Sequence, residues 1–151
     1  MSEQETDATQ NSDKLPTWFW VVSTVALLWY LMDVSAFFMR VLMTEEMLNA
    51  MPENEQSLYR DMPLWVNVVF AGEVFGGALG SIALLLRRAL ALPLFVISIL
   101  GVFSQTFHVY FLSDAISIMG AMAVVMPLIA ILIGIGMIKM TKWAIFNGWL
   151  R

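Results

Sequence analysis

Apolar residues run almost unbroken through four stretches of the chain, at positions 18–41, 64–86, 89–111 and 115–140. A helix needs about 20 mostly apolar residues to cross the hydrocarbon core of a bilayer, and each stretch is long enough. A soluble helix would keep a polar face that recurs every turn. Segments such as Ile82-Ala83-Leu84-Leu85-Leu86 and Leu128-Ile129-Ala130-Ile131-Leu132-Ile133 have no polar face at all. The pattern predicts an all-α, integral membrane four-helix bundle over residues 17–142. An acidic cytoplasmic tail at 1–16, expected to be disordered, precedes it, and an interfacial tail at 143–151 follows.

The polar segment at 43–62 has more order than a plain linker. Thr44 before Glu45 and Glu46 is a helix start, with acids at the positive end of the helix dipole. Pro52 before Glu53 and Glu55 is a second start, with proline beside the first turn. Met47, Leu48 and Met51, then Leu58, Tyr59 and Met62, supply apolar groups to one side. Two short helices lying on the membrane surface are expected between spans one and two. Trp65 opens the second span, and Trp18, Trp20, Trp143 and Trp149 mark the opposite boundary, where indoles favour the interface.

Composition narrows the picture. The chain is 60% hydrophobic and 13% charged, against about 25% charged for a soluble domain. It has no cysteine, which removes disulfides, thiolate metal sites and thiol catalysis. No basic, aromatic cluster outside the spans points to nucleic acid. The first sixteen residues have neither a basic leader nor a small-residue cleavage site, so the first span is expected to act as its own insertion signal. Lys14, Arg87, Arg88, Lys139, Lys142 and Arg151 fall on the side of the two termini, and only Arg40 and Arg60 on the other. The positive-inside bias then predicts a multi-pass protein of the bacterial inner membrane with both termini cytoplasmic.

Candidate chemistry lies in the few polar residues inside the spans. Burying a carboxylate at the bilayer centre costs about 2.5–3.5 kcal/mol on insertion scales, and the chain does so at Asp33 and at Glu73. At 1.5 Å per residue, Asp33 lies about 12 Å and Glu73 about 13–14 Å from the outer ends of their spans. Gln105 and His108 lie about 9 and 5 Å from the outer end of the third. Helical phase sets Ala26, Trp29, Phe37 and Arg40 on the face of Asp33, with Tyr30 at its edge. Glu73 shares its face with Gly76, Gly77 and Gly80, and His108 shares one with Gly101, Ser104 and Gln105. An outward-opening polar pocket of Asp33, Glu73, Gln105 and His108, walled by Trp29, Tyr30 and Phe37, is the candidate site.

Other residues carry simpler readings. The Gly72, Gly76, Gly80 repeat, with Gly77 and Gly101, marks close helix contact, as does the stripe Gly120, Ala123, Pro127, Ala130, Gly134 on span four. Pro127 implies a kink whose freed carbonyl is met locally. Arg40, about 10 Å along the helix from Asp33, reads as an anchor that reaches the outer surface. Met119, Met122 and Met126 share a face of span four, and thioethers bind Cu(I). With no cysteine and one histidine, flexible packing is the better reading, and neither a metal nor a cofactor is expected.

Several segments resemble a family of small four-span bacterial inner-membrane proteins often labelled sugar transporters. They are Leu28-Trp29-Tyr30-Leu31-Met32-Asp33, Leu58-Tyr59-Arg60-Asp61-Met62-Pro63-Leu64-Trp65, Val74-Phe75-Gly76-Gly77-Ala78-Leu79-Gly80, Leu84-Leu85-Leu86-Arg87-Arg88, Gln105-Thr106-Phe107-His108 and Gly148-Trp149-Leu150-Arg151. The resemblance covers nearly everything after the acidic tail and implies the four-span fold. It departs from the family at Tyr30 and Asp33, where that family more often has asparagine and glycine.

The residues therefore support a non-enzymatic membrane protein that handles a small solute or protons through an outward pocket, with Glu73 as its central acid. Four spans are few for alternating access, so transport would call for a homo-oligomer. The alternative is a non-transporting accessory subunit that docks a larger membrane partner through its glycine face and outer loop. A quinone or oxidoreductase subunit is weaker, since a single histidine offers no haem-ligand pair.

Overall fold

The computed structural model describes residues 15–151, and the acidic tail expected at 1–16 lies almost entirely outside the described residues. Among the described residues seven helices follow one another: α1 Thr17–Val41, α2 Glu45–Asn49, α3 Glu53–Arg60, α4 Leu64–Leu85, α5 Ala91–Phe111, α6 Ala115–Met119 and α7 Ala121–Phe146. Four of them, α1, α4, α5 and α7, are long and apolar enough to cross a membrane. Large apolar side chains such as Val25, Leu28, Leu79, Leu100 and Leu132 stand exposed along all four. A soluble chain would not leave so much continuous apolar surface to water. This is an all-α, four-span membrane protein.

Helix starts follow the local chemistry. Proline is the last residue before α1, α3 and α4, at Pro16, Pro52 and Pro63. Before α2, the Thr44 hydroxyl accepts from the Met47 N–H at 3.3 Å, which satisfies one of the orphan donors of the first turn. Glu53 and Glu55 begin α3 and Arg60 ends it, each placed to suit the dipole. The short α2 and α3 are tied by Arg60, which donates to Asn49 Oδ1 at 2.8 Å and pairs with Glu45 at 3.4 Å.

The fourth span departs from the sequence expectation. A single helix over 115–140 is replaced by the short α6 and by α7, which extends to Phe146. Gly120 separates them with φ 61° and ψ −135°, a backbone conformation that side chains bearing a β-carbon avoid. No heavy atom would come within 4 Å of a β-carbon there. Gly120 is thus a chain break and not the packing glycine that its stripe suggested.

The long helices form a curled row in the order α1, α4, α5, α7. Contact is densest between α4 and α5, and α1 and α7, at the ends of the row, have little backbone contact. The glycines of α4 set the spacing on both of its sides. The Tyr30 ring of α1 lies directly on Gly77, where a β-carbon would overlap the ring, and a β-carbon at Gly76 would meet the Leu94 carbonyl oxygen of α5 at 2.9 Å. Gly80 lies against the Phe95 ring and Gly134 of α7 against Ile99, whereas Gly72 makes only ordinary contact with Ile97.

At the end that holds the chain termini, α4 and α7 finish alike. Arg88 N–H donates to the Ala83 carbonyl and Arg87 N–H to Leu84, while Trp149 N–H donates to Ala144 and Gly148 N–H to Ile145. Both are Schellman closures, with the left-handed position filled by Arg87 (φ 57°) in one and Gly148 (φ 69°) in the other. The two turns are bonded to each other. Arg151 N–H donates to the Arg87 carbonyl at 2.9 Å, Ala89 N–H to the Arg151 carbonyl at 2.8 Å, and Arg87 Nε to the Trp149 carbonyl at 3.0 Å. Trp18, Trp143 and Trp149 stack into one aromatic cluster beside them.

Candidate functional site

Between α1 and α7, at the end that carries α2 and α3, the row encloses a cavity of about 520 Å³. Its polar lining comes from three long helices: Asp33 and Arg40 from α1, Glu73 from α4, and Gln105 with Thr106 from α5. Each helix delivers its group for a local reason. On α1, residues 29, 33, 36 and 40 repeat at helical spacing, so one stripe carries Trp29, Asp33, Ala36 and Arg40 into the cavity. On α4 the Glu73 backbone is pressed against Gly101 of α5. Gln105 lies one turn beyond Gly101 on the same face and donates from Nε2 to Glu73 Oε2.

The two acids differ in surroundings. Glu73 is buried, 7% exposed, with Gln105 as its hydrogen-bond partner and with Asp33 and Arg40 as the charges near enough to act on it. Asp33 is half-buried; the Trp29 indole is the hydrogen-bonding side chain beside its carboxylate, and among the described residues no cation pairs with it. Arg40 neutralises neither acid by direct contact. Its guanidinium lies 4.3 Å from the centroid of the Phe70 ring, and Nη1 donates to the Met62 sulfur at 3.7 Å. The only ion pair among the described residues is the surface one between Arg60 and Glu45.

Asp33, Glu73, Gln105 and Trp29 of the expected pocket are thus brought together, and three other expectations are corrected. His108 is buried but does not line the cavity; its ring meets Trp65 edge to face at 5.5 Å. It lies about one turn beyond Gln105 and is occupied by Trp65, at the start of α4. Tyr30 is buried on the other side of α1, against Gly77 and Phe95. Phe37 packs with Phe70 and Phe75. Both aromatics were assigned to the wall by angular proximity to Asp33, and each is drawn aside by a nearby aromatic ring or glycine on another helix.

On span four, Ala123, Pro127 and Ala130 of the expected packing stripe line the cavity, and Ala123 is buried. Met32, Met119, Met122 and Met126 complete the wall. Arg40, read from the sequence as a surface anchor, is a lining residue; its place on the Asp33 stripe was the signal. Among the described residues no group of three or more His, Asp or Glu side chains is arranged to hold a metal. Compared with family models, with curated proteins and with solved structures, the chain gave no match.

Proposed function

We propose that the cavity between α1 and α7 is a solute-binding chamber within the membrane, through which this protein takes up or passes a small molecule. One observation carries the reading. Two carboxylates, an amide and a guanidinium from three helices line a single space of about 520 Å³ deep in the spans. Ionisable groups are costly at that depth and mark substrate or ion pathways. The resemblance to four-span proteins labelled sugar transporters points the same way. Charge asymmetry puts the termini in the cytoplasm of a bacterium, so the chamber opens toward the outer face of the inner membrane. Glu73 is the central acid, held in place by Gln105, and Asp33, which no cation pairs with among the described residues, is the acid that meets the solute. A homo-oligomer would supply what four spans lack for alternating access.

The test is ligand stabilisation of the purified protein in neutral detergent, against a panel of simple sugars, amines, quaternary ammonium ions and tetraphenylphosphonium. A ligand at a hundredfold excess over its dissociation constant stabilises the folded state by about 2.7 kcal/mol. At least one panel member should raise the unfolding temperature of the wild type and fail to do so in Glu73→Gln, which keeps an acceptor for Gln105. A ligand that stabilises both proteins equally would place binding elsewhere and overturn the reading.

A further inference from the structure

The space between α1 and α7 continues past the chamber. Toward the termini lies a groove of about 420 Å³ lined by Val21, Val22, Val25, Ala26, Ile133 and Met137, with Trp29 and Gly136. Trp29 lines both spaces, so the two adjoin at its side chain. From Asp33 to Val21 the cleft extends about 18 Å along α1. The ends of the row have little backbone contact, so the cleft is open sideways, toward the surfaces that face lipid. It has a polar half and a wholly apolar half.

The charges select the sign of an occupant. The chamber holds two carboxylates and one guanidinium, and that guanidinium is engaged by Phe70 and Met62. Asp33 has the Trp29 indole as its hydrogen-bond partner but no cation paired with it among the described residues. In a medium of low dielectric such a carboxylate favours a cation. Trp29 beside it adds an aromatic ring to the lining, the kind of group that recognises quaternary ammonium and other organic cations. Met32, Met119, Met122 and Met126 give the chamber a soft wall that adapts to varied apolar shapes.

On the reading of the cavity as a solute chamber, we propose that its substrates are monovalent organic cations with a bulky apolar portion, which enter between α1 and α7 from the bilayer. The charged centre rests between Asp33 and Trp29, and the apolar portion fills the groove beside Val25 and Gly136. Neither a sugar nor an inorganic cation would use the apolar half.

The experiment compares two ions of the same shape and opposite charge, tetraphenylphosphonium and tetraphenylborate, with tetramethylammonium as a charge lacking the apolar part. Binding to the full-length protein in neutral maltoside detergent is read by calorimetry. Tetraphenylphosphonium should bind at least roughly tenfold more tightly than either of the others. Asp33→Asn, which keeps size, should weaken it by about tenfold or more. Gly136→Leu should do the same by filling the groove, and it should fold, because no heavy atom lies within 4 Å of a β-carbon at 136. Equal binding of the two tetraphenyl ions overturns the proposal without recourse to any variant, as does unchanged affinity in both variants. If tetraphenylphosphonium fails while a sugar or another panel solute still stabilises the wild type and not Glu73→Gln, this inference falls and the solute chamber stands.

Discussion

Gly101 lies against the backbone of Glu73: a β-carbon built on residue 101 would stand 2.7 Å from Cβ and 3.0 Å from Cα of the glutamate. The crossing of α4 and α5 is therefore fixed at the residue that carries the central acid. Gln105, one turn further along α5, reaches Glu73 because the two backbones approach so closely below it. Packing and site chemistry meet at one point, and a change in the spacing of these helices moves the carboxylate.

Gly101→Ala should accordingly destabilise the protein, although alanine is the better helix former. Helix propensity favours alanine by about 1 kcal/mol, while overpacking at a rigid contact costs about 1–3 kcal/mol. Backbone atoms, which cannot rotate away, make the contact here. Gly136→Ala is the matched control, since a β-carbon there meets nothing within 4 Å. Thermal or denaturant unfolding in detergent should show a lower midpoint for Gly101→Ala and an equal or higher one for Gly136→Ala. Equal behaviour of the two would mean that α4 and α5 do not cross as described.

The turn between α4 and α5 supports a second prediction. Arg87 occupies a left-handed conformation that costs a side chain with a β-carbon about 1–2 kcal/mol, and its Nε donates to the Trp149 carbonyl. Arg87→Ala keeps the strain and loses a charge-assisted bond, a loss of about 1.5–3 kcal/mol. Arg87→Gly loses the same bond and releases the strain. The glycine variant should therefore unfold at a higher temperature than the alanine variant, by the equivalent of about 1 kcal/mol. Hydrogen exchange at Ala89 and Arg151, whose amides bond across the two turns, should speed up in both variants.

Most of the fold was legible because bilayer thickness is a hard constraint on span length. The bounds of α1, α4 and α5 lie within two residues of the apolar stretches that predicted them. The fourth span was misread at its start because Gly120 lies in an apolar run, and hydropathy does not register a left-handed turn. The site was legible as to depth. Asp33, Glu73 and Gln105 line one cavity, and residue counts from the helix ends place all three in the outer half of their spans. Helical phase was less reliable, because it gives a direction about one axis and not the neighbour found there. Tyr30 is one residue from Trp29, and the gap left by Gly77 decides which of the two enters the core. His108 and Gln105 share a face of α5, but only Gln105 lies opposite Glu73.

Pro127 supplies the last prediction. Proline within a helix removes the donor to the carbonyl four residues earlier, here Ala123, and its ring crowds that turn, which strains the adjoining bond from Leu128 N–H to the Val124 carbonyl. Val124 is three residues before Pro127, and its carbonyl accepts from the Tyr110 hydroxyl of α5 at 3.3 Å. In lipid no water can replace that donor. Tyr110→Phe should cost about 0.5–1.5 kcal/mol in the wild type. In a Pro127→Ala background the helix regains the bond from residue 127 to Ala123 and relaxes around the Leu128 donor to Val124, so the same substitution should cost little. A double-mutant cycle from unfolding measurements isolates the coupling. A cycle that closes to zero would mean that the tyrosine does not compensate for the proline in α7.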